Sequence, residues 1–185
     1  MVSLPDEIAA AIRTFGLSAT DFRFVVAHER AQVLEEVVRR YVQHPNRRWW
    51  WEVFRCRSFS VAFAGDACRH WLSRLVGAPD VGHVWFVVGV DEDNPALVYE
   101  GTVATVEAVL DACNLFEYYV AAYDYSWLAC ENHHDACFAL GFRLIRRLRS
   151  YAREHPEHIF AQYTTPRRPP DAQQRAAADT DAPND

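Results

Sequence analysis

The sequence contains no lysine: its 19 basic side chains are all arginines. This absence excludes a G-x-x-x-x-G-K-[ST] phosphate loop, a kinase-type ATP lysine and a Schiff-base lysine, because each of them needs an ammonium group. The motifs G-x-S-x-G, H-E-x-x-H and G-x-G-x-x-G are also missing, so no common catalytic signature is present. The use of arginine throughout the chain is typical of a GC-rich bacterial genome and does not indicate one functional site.

The chain also lacks the sequence features of secreted and membrane proteins. Its five cysteines are odd in number and none of them forms a C-x-x-C pair, which favours reduced thiols over a disulfide framework. No charged and apolar leader precedes Asp6. No apolar run approaches the roughly 20 residues of a membrane span. We therefore expect a cytoplasmic protein that is not attached to a membrane.

Arginine is absent from residues 91–141, which hold ten acids and carry a charge of −10 with histidine counted as neutral. Such a segment argues against nucleic acid as the main partner and favours a basic partner protein, which it would attract by charge complementarity. The acids that we expect to contact this partner are Asp91, Glu92, Asp93, Glu100, Glu117 and Asp124.

The hydrophobic pattern predicts a single α+β domain. Apolar residues at helical spacing predict helices over 3–15, 29–43, 67–76, 105–112 and 142–154. Short apolar runs between turn residues predict strands over 49–54, 83–90, 96–100, 116–121, 126–131 and 135–140, while 22–27 suits either a short strand or the start of a helix. These elements predict an antiparallel sheet, a meander of hairpins, flanked by N-terminal helices and a C-terminal helix.

The domain is predicted to cover residues 1–163. Residues 164–185 are rich in Pro, Asp, Ala and Gln and have no apolar periodicity, so we expect a disordered tail there.

The segment with the most reactive side chains is 117–141. In an extended chain Glu131, His133 and Asp135 would share one face, where they could hold a divalent cation, with His134 as a possible general base. The alternative is a polar turn in which these side chains bind backbone groups and each other, with no cofactor. In that case Cys130 and Cys137 are expected to lie opposite each other as packed thiols.

The same segment resembles a known family. The run of E-Y-Y at 117–119, W-L at 127–128, E-N-H-H-D at 131–135 and then Gly141 is similar to the hallmark of a bacterial family of unknown function. The motif residues without an assigned role are Tyr118, Trp127, Glu131, Asn132, His133, His134 and Asp135. The order of helices followed by a meander is also similar to the Smi1/Knr4-type immunity proteins. The resemblance implies a small single-domain protein and assigns no catalytic residue.

Three functions are compatible with these observations. The acidic segment and the resemblance favour a non-catalytic immunity-type protein that neutralises a basic toxin or effector. The alternative is a metal-dependent enzyme, or a metal-binding protein, that uses residues 131–135. A third possibility is a structural or regulatory subunit that binds its partner through residues 49–51, where three tryptophans follow one another.

Overall fold

The computed structural model describes residues 3–44, 49–68, 70–76, 82–89, 96–114 and 116–165. Its strands are β1 (Phe22–Phe24), β2 (Ser58–Phe63), β3 (Val84–Val88), β4 (Leu97–Gly101), β5 (Tyr118–Ala122), β6 (Leu128–Glu131), β7 (Ala136–Leu140) and β8 (Ile159–Thr165). Its α-helices are α1 (Leu4–Phe15), α2 (Ala27–Tyr41), α3 (Trp71–Leu75), α4 (Val103–Ala112) and α5 (Phe142–Glu154). Short 3₁₀ helices cover Trp50–Val53, Gly65–Cys68 and Pro156–His158.

The strands form one antiparallel sheet in the order β1-β4-β3-β5-β6-β7-β2-β8. The predicted α+β class and antiparallel sheet are confirmed. None of the helices in the described ranges combines the length and the hydrophobicity that crossing a membrane requires.

Hydrophobic cores lie on both faces of this sheet. One core receives Ile8 of α1 and Leu148 of α5, and helices α3 and α4 also contribute to it. The other core receives Val37 of α2 together with Trp50. Because successive side chains of a strand point to opposite faces, neighbouring residues of β5 enter different cores, Tyr118 the first and Tyr119 the second.

The predicted strand over Trp49–Phe54 is wrong, because residues Trp50–Val53 form a 3₁₀ helix. Two hydrogen bonds hold this turn on the sheet: the backbone N–H of Trp50 donates to the Tyr119 hydroxyl and Trp51 Nε1 donates to Glu117. Trp50 is buried, whereas Trp49 is 37% exposed. The aromatic side chains of this segment thus cover a face of the sheet, and its backbone does not join the sheet as a strand.

Three further elements differ from the prediction. The helix expected over 67–76 is interrupted at His70, whose φ of 52° is left-handed, so only Trp71–Leu75 is α-helical. Strands β2 and β8 were not predicted. Strand β8 extends to Thr165, two residues beyond the predicted end of the domain, and the predicted tail from 166 onward lies outside the described residues.

The five cysteines are free thiols, as expected. However, Cys130 pairs in register with Phe138, and Cys137 pairs with Glu131. The prediction that the two thiols lie opposite each other is wrong. With this register each thiol enters a different core, on either side of the sheet.

Candidate functional site

The segment with the reactive side chains forms β5, β6 and β7, in the middle of the sheet. The turn between β6 and β7 is built by Asn132, whose Oδ1 accepts hydrogen bonds from the backbone N–H groups of His134 and Ala136, both at 3.0 Å. Asn132 is 4% exposed, and Asp135 completes the turn with a left-handed φ of 56°. The polar-turn alternative therefore describes the backbone here, and Asn132 has a structural role.

This turn separates the residues of the predicted metal site. Glu131 accepts a 2.5 Å hydrogen bond from the Tyr118 hydroxyl on the α4 side of the sheet. By contrast, His133 Nδ1 lies 3.3 Å from Glu117 Oε2, beside Trp51 on the other side. The expectation that Glu131, His133 and Asp135 share one face is wrong, because the chain turns after Glu131 and does not continue extended.

The α4 side of the sheet contains a cavity of about 660 Å³, called here the acidic cavity. It is lined by Phe63, Gly65, Cys68, His70, Trp71, Glu107, Leu110, Asp111, Cys113, Asn114, Phe116, Tyr118, Glu131 and Asp135. Four of these side chains are carboxylates, and no arginine occurs among the lining residues that the structure describes. The cavity is thus suited to a positively charged group.

Glu131 is the most buried motif acid in the acidic cavity. A chain of hydrogen bonds reaches it, in which Trp71 Nε1 donates to the Tyr118 hydroxyl at 3.1 Å and that hydroxyl donates to Glu131. Burial raises the pKa of Glu131, and the nearby Asp135 carboxylate raises it further, although the Tyr118 hydrogen bond acts in the opposite direction. A carboxyl group in this state can bind a cation or exchange a proton above the usual pH range of glutamate.

The opposite wall of the acidic cavity carries a histidine between two acids. His70 Nδ1 lies 3.3 Å from Glu107 Oε2, and His70 Nε2 lies 3.1 Å from Asp111 Oδ2. Glu107 also accepts a hydrogen bond from the backbone N–H of Ser73 at 3.0 Å. These two carboxylates are therefore already partnered within the protein. Among the described lining residues, no histidine or arginine is paired with Glu131 or Asp135.

Glu107 and Asp111 were missed in the sequence, although a signal was present. They stand four residues apart in α4, a spacing that places two side chains on the same helix face. Together with the −10 charge of residues 91–141, this spacing could have suggested an acidic helix face. It could not have shown that α4 lies opposite the β6–β7 turn.

The other side of the sheet carries an aromatic–histidine cluster, made of Trp49, Trp51, Glu117, His133 and His134. The Glu117 carboxylate accepts hydrogen bonds from Trp51 Nε1 at 2.8 Å and from the Tyr119 hydroxyl at 2.5 Å. The two imidazole rings lie 4.1 Å apart, and the His133 ring is 5.3 Å from that of Trp49. Glu117 is thus bound inside this cluster, which presents rings to the surface.

Of the described acids predicted to contact a partner, Glu100 and Asp124 line one cavity, whereas Glu117 lies in the aromatic–histidine cluster. Asp91, Glu92 and Asp93 lie outside the described residues. Glu100 is 9% exposed, with the Arg23 guanidinium against its carboxylate and His83 Nδ1 at 2.7 Å. Asp124 accepts a hydrogen bond from the backbone N–H of Ser126, at the end of β5 that is remote from Glu117. Their role in partner binding stays a prediction.

A second cavity, of about 450 Å³, has Glu100 and Asp124 in its lining. Its lining also includes His83, Arg143 and Arg147, so charges of both signs face it. This mixture makes it less selective for a cation than the acidic cavity.

The remaining motif residues maintain the packing. Trp127 is 7% exposed, and Gly141 has a φ of 89°. A Cβ atom at Gly141 would lie 2.5 Å from the Ser126 carbonyl oxygen and 2.9 Å from Trp127 Cα. Only glycine fits this close approach, which positions the start of α5 against the end of the β5–β6 turn.

Comparison with known proteins shows the family of this chain. The model of a family of unknown function, DUF6756, matches residues 1–152. The chain belongs to the DUF6756 family. No curated protein and no solved structure matches it. Membership in a family of unknown function is therefore confirmed, while the likeness to Smi1/Knr4-type immunity proteins stays a prediction. The DUF6756 match includes the whole acidic cavity and ends before β8.

Proposed function

We propose that this DUF6756 member is a non-catalytic binding protein whose acidic cavity receives an arginine or lysine side chain of a basic partner. An immunity-type inhibitor of a toxin or effector would act in this way. The observation that carries the proposal is the convergence of four carboxylates on one cavity whose described lining contains no arginine.

The size and chemistry of the cavity support this function. A volume of about 660 Å³ lies in the range of small-molecule sites, so a long cationic side chain fits. A guanidinium group could pair with Glu131 and Asp135, because carboxylates bind its planar donors strongly. The Trp71, Tyr118 and Phe116 rings in the wall offer cation–π contacts. We expect an arginine to be preferred over a lysine for the same reasons.

The first experiment uses a chemical probe in place of the unidentified partner. Acetyl-arginine-amide is titrated into the full chain, and chemical shifts or heats are followed at low and high salt. We expect saturable binding that weakens as salt rises. Asp111→Asn combined with Asp135→Asn should abolish it, because half of the cavity charge is removed and asparagine tolerates the backbone conformation of Asp135.

A matched control removes two charges outside the acidic cavity. Asp124→Asn combined with Glu157→Gln changes the net charge by the same amount and should leave binding unchanged. Equal weakening in both double variants would show that only net charge matters, and it would contradict the proposal.

The second experiment tests the biological role. The product of the neighbouring gene is expressed with and without this protein, and complex formation and cell growth are measured. We expect a complex and a rescue of growth that the Asp111→Asn/Asp135→Asn variant loses. A rescue that survives in this variant would place the partner surface elsewhere, for example on Trp49 in the aromatic–histidine cluster.

One observation favours a second function, an enzyme that uses Glu131 as a proton donor or acceptor. Glu131 is half-buried, its pKa is raised by that burial, and it is hydrogen-bonded to Tyr118, features that are common in general acids. A metal-dependent form of this function would need ligands other than the predicted set, because His133 faces away from Glu131. An activity that is lost in Glu131→Gln and kept in Asp124→Asn would favour the enzyme over the binding protein.

A further inference from the structure

We propose that His155, Glu157 and His158 form a binding site for a zinc-class divalent cation. They lie in the turn between α5 and β8, called here the His-Glu-His turn. This site is separate from the acidic cavity, and it lies beyond the residues that match DUF6756.

The ligand atoms already have nearly the spacing that a metal requires. His155 Nδ1 lies 3.5 Å and His158 Nε2 lies 3.7 Å from Glu157 Oε1, and the ligand atoms of all three residues lie within 4.8 Å of one another. In a tetrahedral zinc site with bonds of about 2.1 Å, neighbouring ligand atoms are about 3.4 Å apart. Small side-chain rotations would therefore bring the three atoms around one ion.

The backbone that carries these ligands is fixed at both ends. At the helix end, the His155 N–H donates to the Tyr151 carbonyl at 2.9 Å, and the His158 N–H donates to the His155 carbonyl at 3.0 Å. At the strand end, the Ala64 N–H donates to the His158 carbonyl at 2.8 Å. Pro156 fixes φ at the first position of the turn. The ligands are thus held on a short rigid turn.

Tyr151 orients one of the imidazoles. Its hydroxyl oxygen lies 2.7 Å from His158 Nδ1, and it also accepts a hydrogen bond from Arg74 Nη1 at 3.3 Å. When His158 carries its proton on Nδ1, this oxygen accepts that N–H and the Nε2 lone pair faces Glu157. Metal-binding histidines are commonly held by such a hydrogen bond on the second nitrogen. Tyr151 is therefore a positioning residue.

The donor set indicates the class of cation. Two imidazoles and one carboxylate suit Zn²⁺, Co²⁺, Ni²⁺ or Cu²⁺, whereas Mg²⁺ and Ca²⁺ prefer oxygen ligands. The side chains of His155 and Glu157 are 44% and 62% exposed, which leaves room for water as a fourth ligand.

The test titrates Co²⁺ and Zn²⁺ into the full-length chain after chelator treatment, with the thiols kept reduced. We expect one ion per chain and a visible Co²⁺ spectrum without the thiolate charge-transfer band that cysteine ligands would give. His155→Gln and His158→Gln should each weaken binding by at least about tenfold, and Tyr151→Phe by about tenfold. His28→Gln removes an exposed histidine of α2 and should leave the affinity unchanged.

The proposal is overturned if the wild-type chain binds no Co²⁺ or Zn²⁺, if the ion shows thiolate ligation, or if the His155→Gln/His158→Gln double variant binds as tightly as the His28→Gln control. Circular dichroism of each variant without metal shows whether it is folded. A glutamine variant that fails to fold is replaced by Glu157→Gln, whose exposed side chain can change without loss of packing.

Discussion

Glu131 is a carboxyl group whose pKa is raised by its surroundings in the folded protein. Because burial raises its pKa in the folded protein, the folded state holds the proton more tightly than the unfolded state. As pH rises above the ordinary glutamate value of about 4.3, the unfolded state releases this proton first and the free energy of unfolding falls. The loss continues until the folded carboxyl group has also ionised.

The Glu131→Gln variant should therefore become more stable relative to the wild type as pH rises. Glutamine keeps the acceptor for the Tyr118 hydroxyl and has no charge to bury. Urea unfolding at several pH values between 4 and 8 measures the difference in the free energy of unfolding. Glu154→Gln, an exposed acid-to-amide change in α5, is the control. A difference between wild type and Glu131→Gln that does not grow with pH would contradict the burial argument.

Gly141 allows a second prediction at this scale. Gly141→Ala introduces a Cβ atom against the Ser126 carbonyl at 2.5 Å and in a left-handed backbone, so we expect a loss of about 3 kcal/mol in the free energy of unfolding. Gly82→Ala is the matched control, because no atom lies within 4 Å of its Cβ position. Urea denaturation measures both variants, and similar values for the two would show that the backbone can relax at Gly141.

Some of these residue roles could be predicted from sequence and others could not. Ser3 caps α1, where its hydroxyl accepts a hydrogen bond from the Asp6 N–H. Such a cap can be predicted because it depends on neighbours in the sequence. The partners of Glu131 were not predictable in this way. Tyr118 and Trp71 reach it from β5 and α3, and such contacts depend on strand register and helix placement.

Among the elements, the turn between β6 and β7 depends on Asn132. Asn132→Ala would leave the backbone N–H groups of His134 and Ala136 without their acceptor, so we expect a loss of about 2 kcal/mol in the free energy of unfolding. Asn114→Ala makes the same change at an exposed residue and should cost at most about 0.5 kcal/mol. Thermal or urea unfolding compares the two. Equal effects would mean that solvent or another group replaces the Asn132 acceptor.

Elements that depend on neighbouring residues in the sequence were predicted correctly, and those that depend on distant contacts were not. Helix α5 has the predicted bounds, 142–154, because its apolar period and Gly141 are both visible in the sequence. Residues 49–54 have the composition of a strand, but the Trp50 ring packs on Tyr119 and Trp51 Nε1 donates to Glu117. These contacts with distant residues override the local preference. The prediction that residues 131, 133 and 135 share one face was wrong for a related reason, because Asn132 forms a turn that ends the extended segment.

At the scale of the whole molecule, the central strands place different functional side chains on the two faces of one sheet. Neighbouring residues of β5 belong to different sites, with Tyr118 in the acidic cavity and Tyr119 bound to the aromatic–histidine cluster through Glu117. The sequence showed that 91–141 was acidic and rich in reactive side chains. It could not show that Glu100 is neutralised by Arg23, because these residues meet through the pairing of β1 with β4.

The length of the folded domain gives the last prediction. Strand β8 pairs with β2 along the edge of the sheet, from Ser58 opposite Thr165 to Phe63 opposite Ile159. A chain that ends at Thr165 should keep the full free energy of unfolding. A chain that ends at His158 should lose about 3 kcal/mol or more, because the hydrogen bonds of this edge are removed.

Loss of β8 should also promote self-association, because β2 would become an unpaired edge strand. Urea unfolding and size-exclusion chromatography of the full chain and the two truncated chains measure both effects. Equal stability of all three would show that the sheet is complete without β8, and the domain would then end with α5, close to where the DUF6756 match ends. A loss already in the chain that ends at Thr165 would instead mean that residues 166–185 stabilise the domain, contrary to the disorder predicted from their composition.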